Sequence, residues 1–322
     1  MTKRIVIGVL CSFVVFFVVF LGYLFFNRYK NPASSSGLFV EYLEKSSENP
    51  IEHMIGNIPE NLQVRMITAV APFYHGMFSK EEAAKTRTTL LPVYKEMQSK
   101  QDWSKLPSSL GNTYLSTIHL PPKQNQYFVY IPQKTEGQKI PAIVFLHGFG
   151  GNFTPYFYKL SSIADKYHVA IIAPSYKNGV WDDDSIAFVK SVTENANKKF
   201  DVDPNSYYLL GFSNGGLTAP KIYLNNSDSY KGLILISTYL DSEKLLKTES
   251  LSLLKKINIL VIQGSNDHRV EVENTRSVVK ALQTKNISVV LKEFPTDHFV
   301  FFENNTEVED LIGKTYFEEK QQ

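Results

Sequence analysis

Three residues of types that cooperate in nucleophilic chemistry stand far apart in this chain. Ser213 sits between glycines in Gly211-Phe212-Ser213-Asn214-Gly215. Asp267 stands in Gln263-Gly264-Ser265-Asn266-Asp267-His268, and His298 in Phe294-Pro295-Thr296-Asp297-His298-Phe299. A histidine can take the proton of a serine hydroxyl, and a carboxylate can hold that histidine in the required tautomer. Each residue also has a plainer reading. Gly-x-Ser-x-Gly fits a glycine-rich turn, the aspartate fits an Asx-type turn, and a histidine before aromatics fits a packed side chain. What decides among these readings is where the chain would put the residues.

The elements around them have one rhythm. Apolar, β-branched runs at 127–131, 142–146, 170–173, 208–210, 232–236, 259–262 and 289–291 read as strands. Helical stretches at 156–166, 185–198, 217–224, 240–254 and 272–283 lie between them. Strand–helix alternation predicts an α/β fold, a doubly wound, mostly parallel sheet with helices on both faces. Ligands of such sheets bind at the carboxyl ends of strands. Ser213, Asp267 and His298 each follow a strand. Ser213 also opens a helix, and glycines at 211 and 215 leave room for so tight a turn.

A fourth strand end carries His147-Gly148-Phe149-Gly150-Gly151-Asn152. Glycines let backbone N–H groups face a site, where they can hold a developing oxyanion. The loop also fits a plain strand–helix turn. A nucleotide loop is disfavoured, since no Gly-Lys-Ser/Thr follows. His147 reads as an organiser of the loop and His298 as the base. Asp297, beside His298, rivals Asp267, but sequence neighbours rarely reach the needed geometry. His268 is set aside for the same reason. Tyr156, Phe157, Tyr158, Tyr176, Trp181 and Tyr239 fall near the strand ends, where they fit either a pocket or the core. Asp182-Asp183-Asp184 reads as a helix N-terminus.

The order Ser213, Asp267, His298, each at a strand end, resembles the α/β-hydrolase superfamily, esterase branch. The resemblance covers about 114–302. Tyr127-Phe128-Val129-Tyr130-Ile131-Pro132 is further similar to feruloyl-esterase-like and polyhydroxyalkanoate-depolymerase-like members. The resemblance implies a catalytic triad of Ser213, Asp267 and His298. It implies an oxyanion hole formed by the N–H groups of Asn214 and Phe149, and hydrolysis of a small-molecule or polymer ester through an acyl-enzyme. A peptidase or amidase on the same fold is the enzyme alternative. A non-catalytic binding protein is the other, which the intact triad disfavours.

No cofactor is expected. The histidines show no ligand spacing for a metal, and His53 and His75 are isolated. A net charge of +2, with no basic run interleaved with aromatics, disfavours nucleic acid as a partner. The composition, 43% hydrophobic and 20% charged, is that of a globular chain.

The N-terminus departs from it. Residues 5–26 are apolar or small and uncharged, with Lys3 and Arg4 before them and Arg28 and Lys30 after. That length suits a transmembrane helix. A cleaved signal peptide, releasing a secreted protein, is the alternative. Cys11, the single cysteine, lies inside this run, so the rest of the chain has no thiol chemistry. The reading gives a membrane anchor over 1–30, a linker and helical extension over 31–110, and a catalytic domain over 111–322. The domain is expected outside the cytoplasm. A sequon at Asn152, in the glycine loop, favours a compartment without N-glycosylation, such as a bacterial periplasm.

Within the extension, Leu38, Phe39, Tyr42 and Leu43 form an apolar stripe at helix spacing. Ser79-Lys80-Glu81-Glu82 is a capping box opening a helix that Pro92 should kink or end. The segment reads equally as a stalk and as a cap over the site. It is too short for a β-propeller.

Overall fold

The structure is a computed structural model. It describes residues 37–43, 59–70, 72, 79–109, 126–133, 137, 139–150 and 153–318. The apolar run at 5–26, Cys11, His53, His75, Gly151 and the sequon residue Asn152 lie outside the described residues. Among the described residues no helix is long and apolar enough to cross a membrane.

One eight-stranded sheet organises the chain, in the order β1-β2-β4-β3-β5-β6-β7-β8. Its strands are β1 (Leu38–Tyr42), β2 (Gln126–Tyr130), β3 (Ile140–Leu146), β4 (Ala170–Pro174), β5 (Val202–Phe212), β6 (Tyr230–Ile236), β7 (Asn258–Gly264) and β8 (Val289–Phe294). From β4 to β8 every neighbouring pair is parallel; β2 is antiparallel to both β4 and β1. All seven strands expected from the apolar runs are present.

The period-2 geometry of the strands splits the core into two layers. Ala142, Val144 and Leu146 of β3 face helices α4 (Asp184–Lys199), α5 (Asn214–Asn225), α7 (Thr248–Leu254) and α8 (Val272–Thr284). Ile143 and Phe145 face the other way, toward α3 (Thr154–Tyr167), α9 (Val300–Glu303) and α10 (Asn305–Tyr316). Both faces are therefore covered, which is why the strands read as continuous apolar runs. The single helix expected over 240–254 is two short ones, α6 (Ser242–Leu245) and α7.

The expectation of a helix at Leu38–Leu43 is corrected. These residues form edge strand β1, with Leu38 opposite Tyr130 and Val40 opposite Phe128. Leu38 and Val40 are buried and alternate with half-buried neighbours, a period of two that so short a stripe cannot distinguish from a helical one. The backbone groups on the free edge of β2 supply the pairing that settles it. The sheet thus begins before the helical segment, which is threaded between β1 and β2.

That segment holds α1 (Glu60–Val70) and α2 (Lys80–Ser99). The capping box at Ser79 is formed in both directions, Glu82 N–H to Ser79 Oγ at 3.0 Å and Ser79 N–H to Glu82 Oε2 at 2.7 Å. Pro92 does not end α2, which runs on to Ser99. One helical hydrogen bond is lost there. Burial of Val93, Tyr94 and Met97 around it, in a cluster with Val64 and Phe299, offsets that loss.

Candidate active site

The turn from β5 to α5 carries Ser213 in a strained conformation, φ 52° and ψ −118°. A non-glycine residue pays about 1–3 kcal/mol to sit there and persists only when its surroundings impose the shape. Here they do. The Ser213 N–H donates to Ile236 O at 2.9 Å, and the Thr238 hydroxyl donates to Ser213 O at 2.7 Å. A Cβ on Gly211 would lie 2.5 Å from Gly216 Cα, and one on Gly215 would lie 2.0 Å from Leu146 O. Both glycines are thus required by close backbone approach, as the motif suggested. Ser213 is the N-cap residue of α5, whose first N–H groups have no partner within the helix.

The loops after β7 and β8 bring Asp267 and His298 together. They are laced by backbone bonds, Ser265 N–H to Phe294 O at 2.8 Å and Asn266 N–H to Thr296 O at 2.9 Å. His298 Nδ1 lies 2.8 Å from Asp267 Oδ2, and both residues are buried. Gln263 Nε2 also donates to Oδ2, at 3.0 Å, and the N–H groups of Arg269 and Val270 donate to Oδ1 at 2.9 and 3.0 Å. Burial pushes the Asp267 carboxyl up; the His298 bond and the two backbone N–H groups more than reverse this and hold it below the ordinary aspartate value. Asp297 turns elsewhere, accepting from Phe299 N–H at 2.8 Å and facing Lys85 at 3.6 Å. His268 is exposed.

Ser213 and His298 line the same cavity, with the Phe212 ring 5.1 Å from the imidazole. Among the described residues no hydrogen bond joins the Ser213 hydroxyl to His298. Such contacts are often loose before substrate is bound. With Nδ1 directed at Asp267, Nε2 is the ring nitrogen left to face a nucleophile.

Phe149 and Asn214 line the cavity with Ser213, and neither N–H donates to a backbone acceptor among the described residues. The loop bearing Phe149 is organised by His147. Tyr176 N–H donates to its Nε2 at 3.1 Å, so the proton sits on Nδ1, which donates to Gly148 O at 2.9 Å. The Trp181 indole donates to His147 O at 2.8 Å. Burial lowers the His147 pKa to about 4, keeping the ring neutral. Of the expected aromatics, Tyr156 and Tyr239 line the cavity. Phe157, Tyr176 and Trp181 belong to the core, and Tyr158 packs on Trp103, with ring centroids 4.8 Å apart. Asp182, expected at a helix N-terminus, accepts from the Tyr176 hydroxyl and pairs with Lys177.

The cavity holds about 700 Å³ and is roofed by α1 and α2, through Val64, Ile67 and Leu90 among others. The two helices therefore form a cap. It is held to the loops after β3, β7 and β8. Gln63 Nε2 donates to Gly150 O at 2.8 Å. Arg269 reaches Glu82 Oε1 at 3.3 Å and lies over the Phe299 ring at 5.2 Å. Lys85 pairs with Glu303 and faces Asp297. Glu60, buried at the start of α1, accepts from the side chains of Tyr94, Ser109 and Thr154. Nothing in the sequence pattern singled out Glu60 or Gln63; among the described side chains of α1, Glu60, Gln63 and Thr68 are buried beside Val64, so no apolar stripe marked the face that docks. Among the described residues no group of three or more His, Cys, Asp or Glu could hold a metal ion.

The chain matches the phospholipase/carboxylesterase family over residues 183–314. No curated protein matches it by sequence. Among solved structures it is similar to the fluorophosphonate-binding serine hydrolase F of Staphylococcus aureus, at 15% identity and a TM-score of 0.52, over 60% of this chain and 92% of that one. It is also similar to an S-formylglutathione hydrolase from Staphylococcus aureus, at 14% identity and a TM-score of 0.49, over 59% and 92% of the two chains. An esterase from Pyrobaculum calidifontis follows, at 18% identity and a TM-score of 0.48, over 59% and 80%.

Proposed function

We propose that this chain, an α/β-hydrolase of the esterase-type superfamily and within it a carboxylesterase-type serine hydrolase, cleaves carboxylic esters through an acyl-enzyme on Ser213. The observation that carries the assignment of residues is the 2.8 Å contact between His298 Nδ1 and Asp267 Oδ2, at the wall of the cavity that also holds Ser213.

In this reading His298 Nε2 takes the proton of the Ser213 hydroxyl as its oxygen attacks the ester carbonyl. Asp267 keeps Nδ1 protonated and stabilises the imidazolium that forms. The N–H groups of Asn214 and Phe149 receive the oxyanion. The tetrahedral intermediate expels the alcohol, which takes the proton from His298, and leaves Ser213 acylated. Water, deprotonated by the same histidine, then releases the acid. The cavity favours an apolar acyl group, since Val64, Ile67, Leu90, Phe153, Phe212 and Phe299 line it. Its volume of about 700 Å³ suits a small ester.

The test is hydrolysis of p-nitrophenyl esters of increasing acyl length by the full chain, beside Ser213→Ala. Turnover should vanish in the variant while the fold is kept. Ester hydrolysis that survives in Ser213→Ala would reject the assignment.

The apolar run at 5–26, flanked by basic residues, supports a second part of the proposal, that it tethers the enzyme to a membrane with the hydrolase domain outside the cytoplasm. The full chain should stay with membranes through an alkaline carbonate wash and be cleaved by protease added to intact cells or spheroplasts. Release of the intact chain by the wash, or protection from the protease, would reject it.

A further inference from the structure

Phe149, in the loop between β3 and α3, lines the cavity, and three successive peptide units of this loop are held by hydrogen bonds. The unit joining Gly148 to Phe149 is fixed by the His147 ring on Gly148 O, at 2.9 Å. A trans peptide sends its N–H opposite to its C=O, so this bond aims Phe149 N–H away from His147. The next unit is fixed by Gly150 N–H donating to Asn178 O at 2.7 Å. The third is fixed by Gln63 Nε2 donating to Gly150 O at 2.8 Å. Gly150 has φ 106°, a conformation open to glycine, so its own backbone does little to hold the turn.

The first two restraints come from the hydrolase core. The third comes from the cap, 87 residues earlier in the chain. Gln63 is buried, at 9% exposure, and its neighbours on the cavity wall include Val64, Ile67 and Phe153. A buried amide among apolar side chains is costly unless bonded, and a leucine would fill the place more cheaply. Its helix is fixed in turn. Glu60, one turn earlier on the same face of α1, accepts from Thr154 Oγ1 at 2.5 Å, so α1 is tied to the start of α3 just beyond the loop.

We propose that Gln63 is a positioning residue for the oxyanion-binding loop. Through Gly150 O it holds the turn that presents Phe149 N–H to the ester oxygen, and the cap is thereby part of the catalytic apparatus. This rests on the assignment of Ser213 and Phe149 above. The bond matters most when charge develops on the substrate oxygen, so its loss should weaken binding of the transition state more than of the substrate.

The experiment uses the full chain, Gln63→Leu and Gln63→Glu. Three readouts are taken: ester kinetics, inhibition by an alkyl trifluoromethyl ketone, and the rate of fluorophosphonate labelling at Ser213. The ketone adds the serine oxygen and becomes an oxyanion; the alkyl alcohol of the same chain length cannot. In Gln63→Leu, kcat should fall by about tenfold to a hundredfold, with KM within about twofold. Ketone affinity should fall by the same factor and alcohol affinity should hold. In Gln63→Glu the loss relative to wild type should be larger at about pH 8 than at about pH 5, where a protonated carboxyl can again donate to Gly150 O.

Unchanged kcat and ketone affinity in a folded Gln63→Leu would overturn the proposal, and so would a loss confined to KM. If Gln63→Leu does not fold, Gln63→Glu decides, and a ratio to wild type that is the same at both pH values overturns it. Wild-type protein that is never labelled at Ser213 removes the serine-hydrolase reading itself, and this proposal with it. Normal wild-type labelling with equally fast labelling of the Gln63 variants removes only the role of Gln63.

Discussion

Thr154 Oγ1 donates a hydrogen bond to Glu60 Oε2 at 2.5 Å, joining the first turn of α3 to the first turn of α1 across 94 residues of sequence. The same carboxylate accepts from the Tyr94 hydroxyl at 3.0 Å, and from Ser109 through its hydroxyl at 2.9 Å and its N–H at 3.2 Å. A single buried acid thus gathers α1, α2, the segment after α2 and the hydrolase core. Glu60→Ala would leave these donors without their acceptor, and an unsatisfied buried group costs about 1–3 kcal/mol. The expected result is a loss of about 3 kcal/mol in urea unfolding. Glu60→Gln, which keeps the volume and one acceptor oxygen, should lose less. Equal stability of wild type and Glu60→Ala would show that the cap docks without this cluster.

Gly215 has no room for a side chain. A Cβ would stand 2.0 Å from Leu146 O and 2.9 Å from His147 O, both backbone atoms that cannot rotate aside. Gly215→Ala must therefore push α5 away from the end of β3, and Ser213, which caps α5, moves with it. Overpacking of this kind costs about 1–3 kcal/mol. The functional effect should be larger than the stability effect, because a displacement of about 1 Å at a nucleophile is worth roughly a hundredfold in rate. Circular dichroism melts and ester kinetics on the same preparation separate the two. A variant with wild-type kcat would mean that the turn is not what places the serine.

Much of the sheet was legible because its strands are buried on both faces. Ile143 and Phe145 serve one core layer, Val144 and Leu146 the other, so the run admits no polar residue and no ambiguity of phase. The strand-end residues were legible for a related reason, since glycine and polar residues interrupt those runs abruptly at 147, 211 and 264. The joining of Asp267 to His298 could be anticipated from their order in the chain, though not their 2.8 Å separation. The N-terminal segment behaved differently. Leu38 to Tyr42 is too short for its period to be read, and its state was decided by the open edge of β2. The capping box at Ser79 revealed a helix and nothing of its docking partner. Docking depends on Glu60, Gln63, Lys85 and Arg269 meeting groups far along the chain. Such long-range polar pairs leave no local period to detect.

His147 should give the protein an acid sensitivity that can be located on the pH axis. Its ring is buried against Phe153 and Trp181, with centroids 5.0 and 5.1 Å away, and receives Tyr176 N–H on Nε2. Protonating Nε2 would break that bond and place a charge in the core, which is why burial lowers the pKa from 6.5 to about 4. The unfolded chain then binds more protons than the native one between those two values. The stability contributed by neutral His147 is complete above about pH 6.5 and falls as the pH drops toward 4, by roughly 3 kcal/mol in all. Asp267, whose carboxyl is held below the ordinary aspartate value, contributes stability that is lost only at still lower pH. Glu60 acts with the opposite sign, because its carboxyl is pushed above 4.5 by burial and its ionisation costs stability as the pH rises. Urea unfolding of wild type and His147→Gln at a series of pH values isolates the imidazole. The wild-type slope in this window should exceed that of the variant by about one proton. Parallel slopes would mean that His147 is protonated in the folded protein, and the orientation of the Gly148–Phe149 peptide would then need another cause.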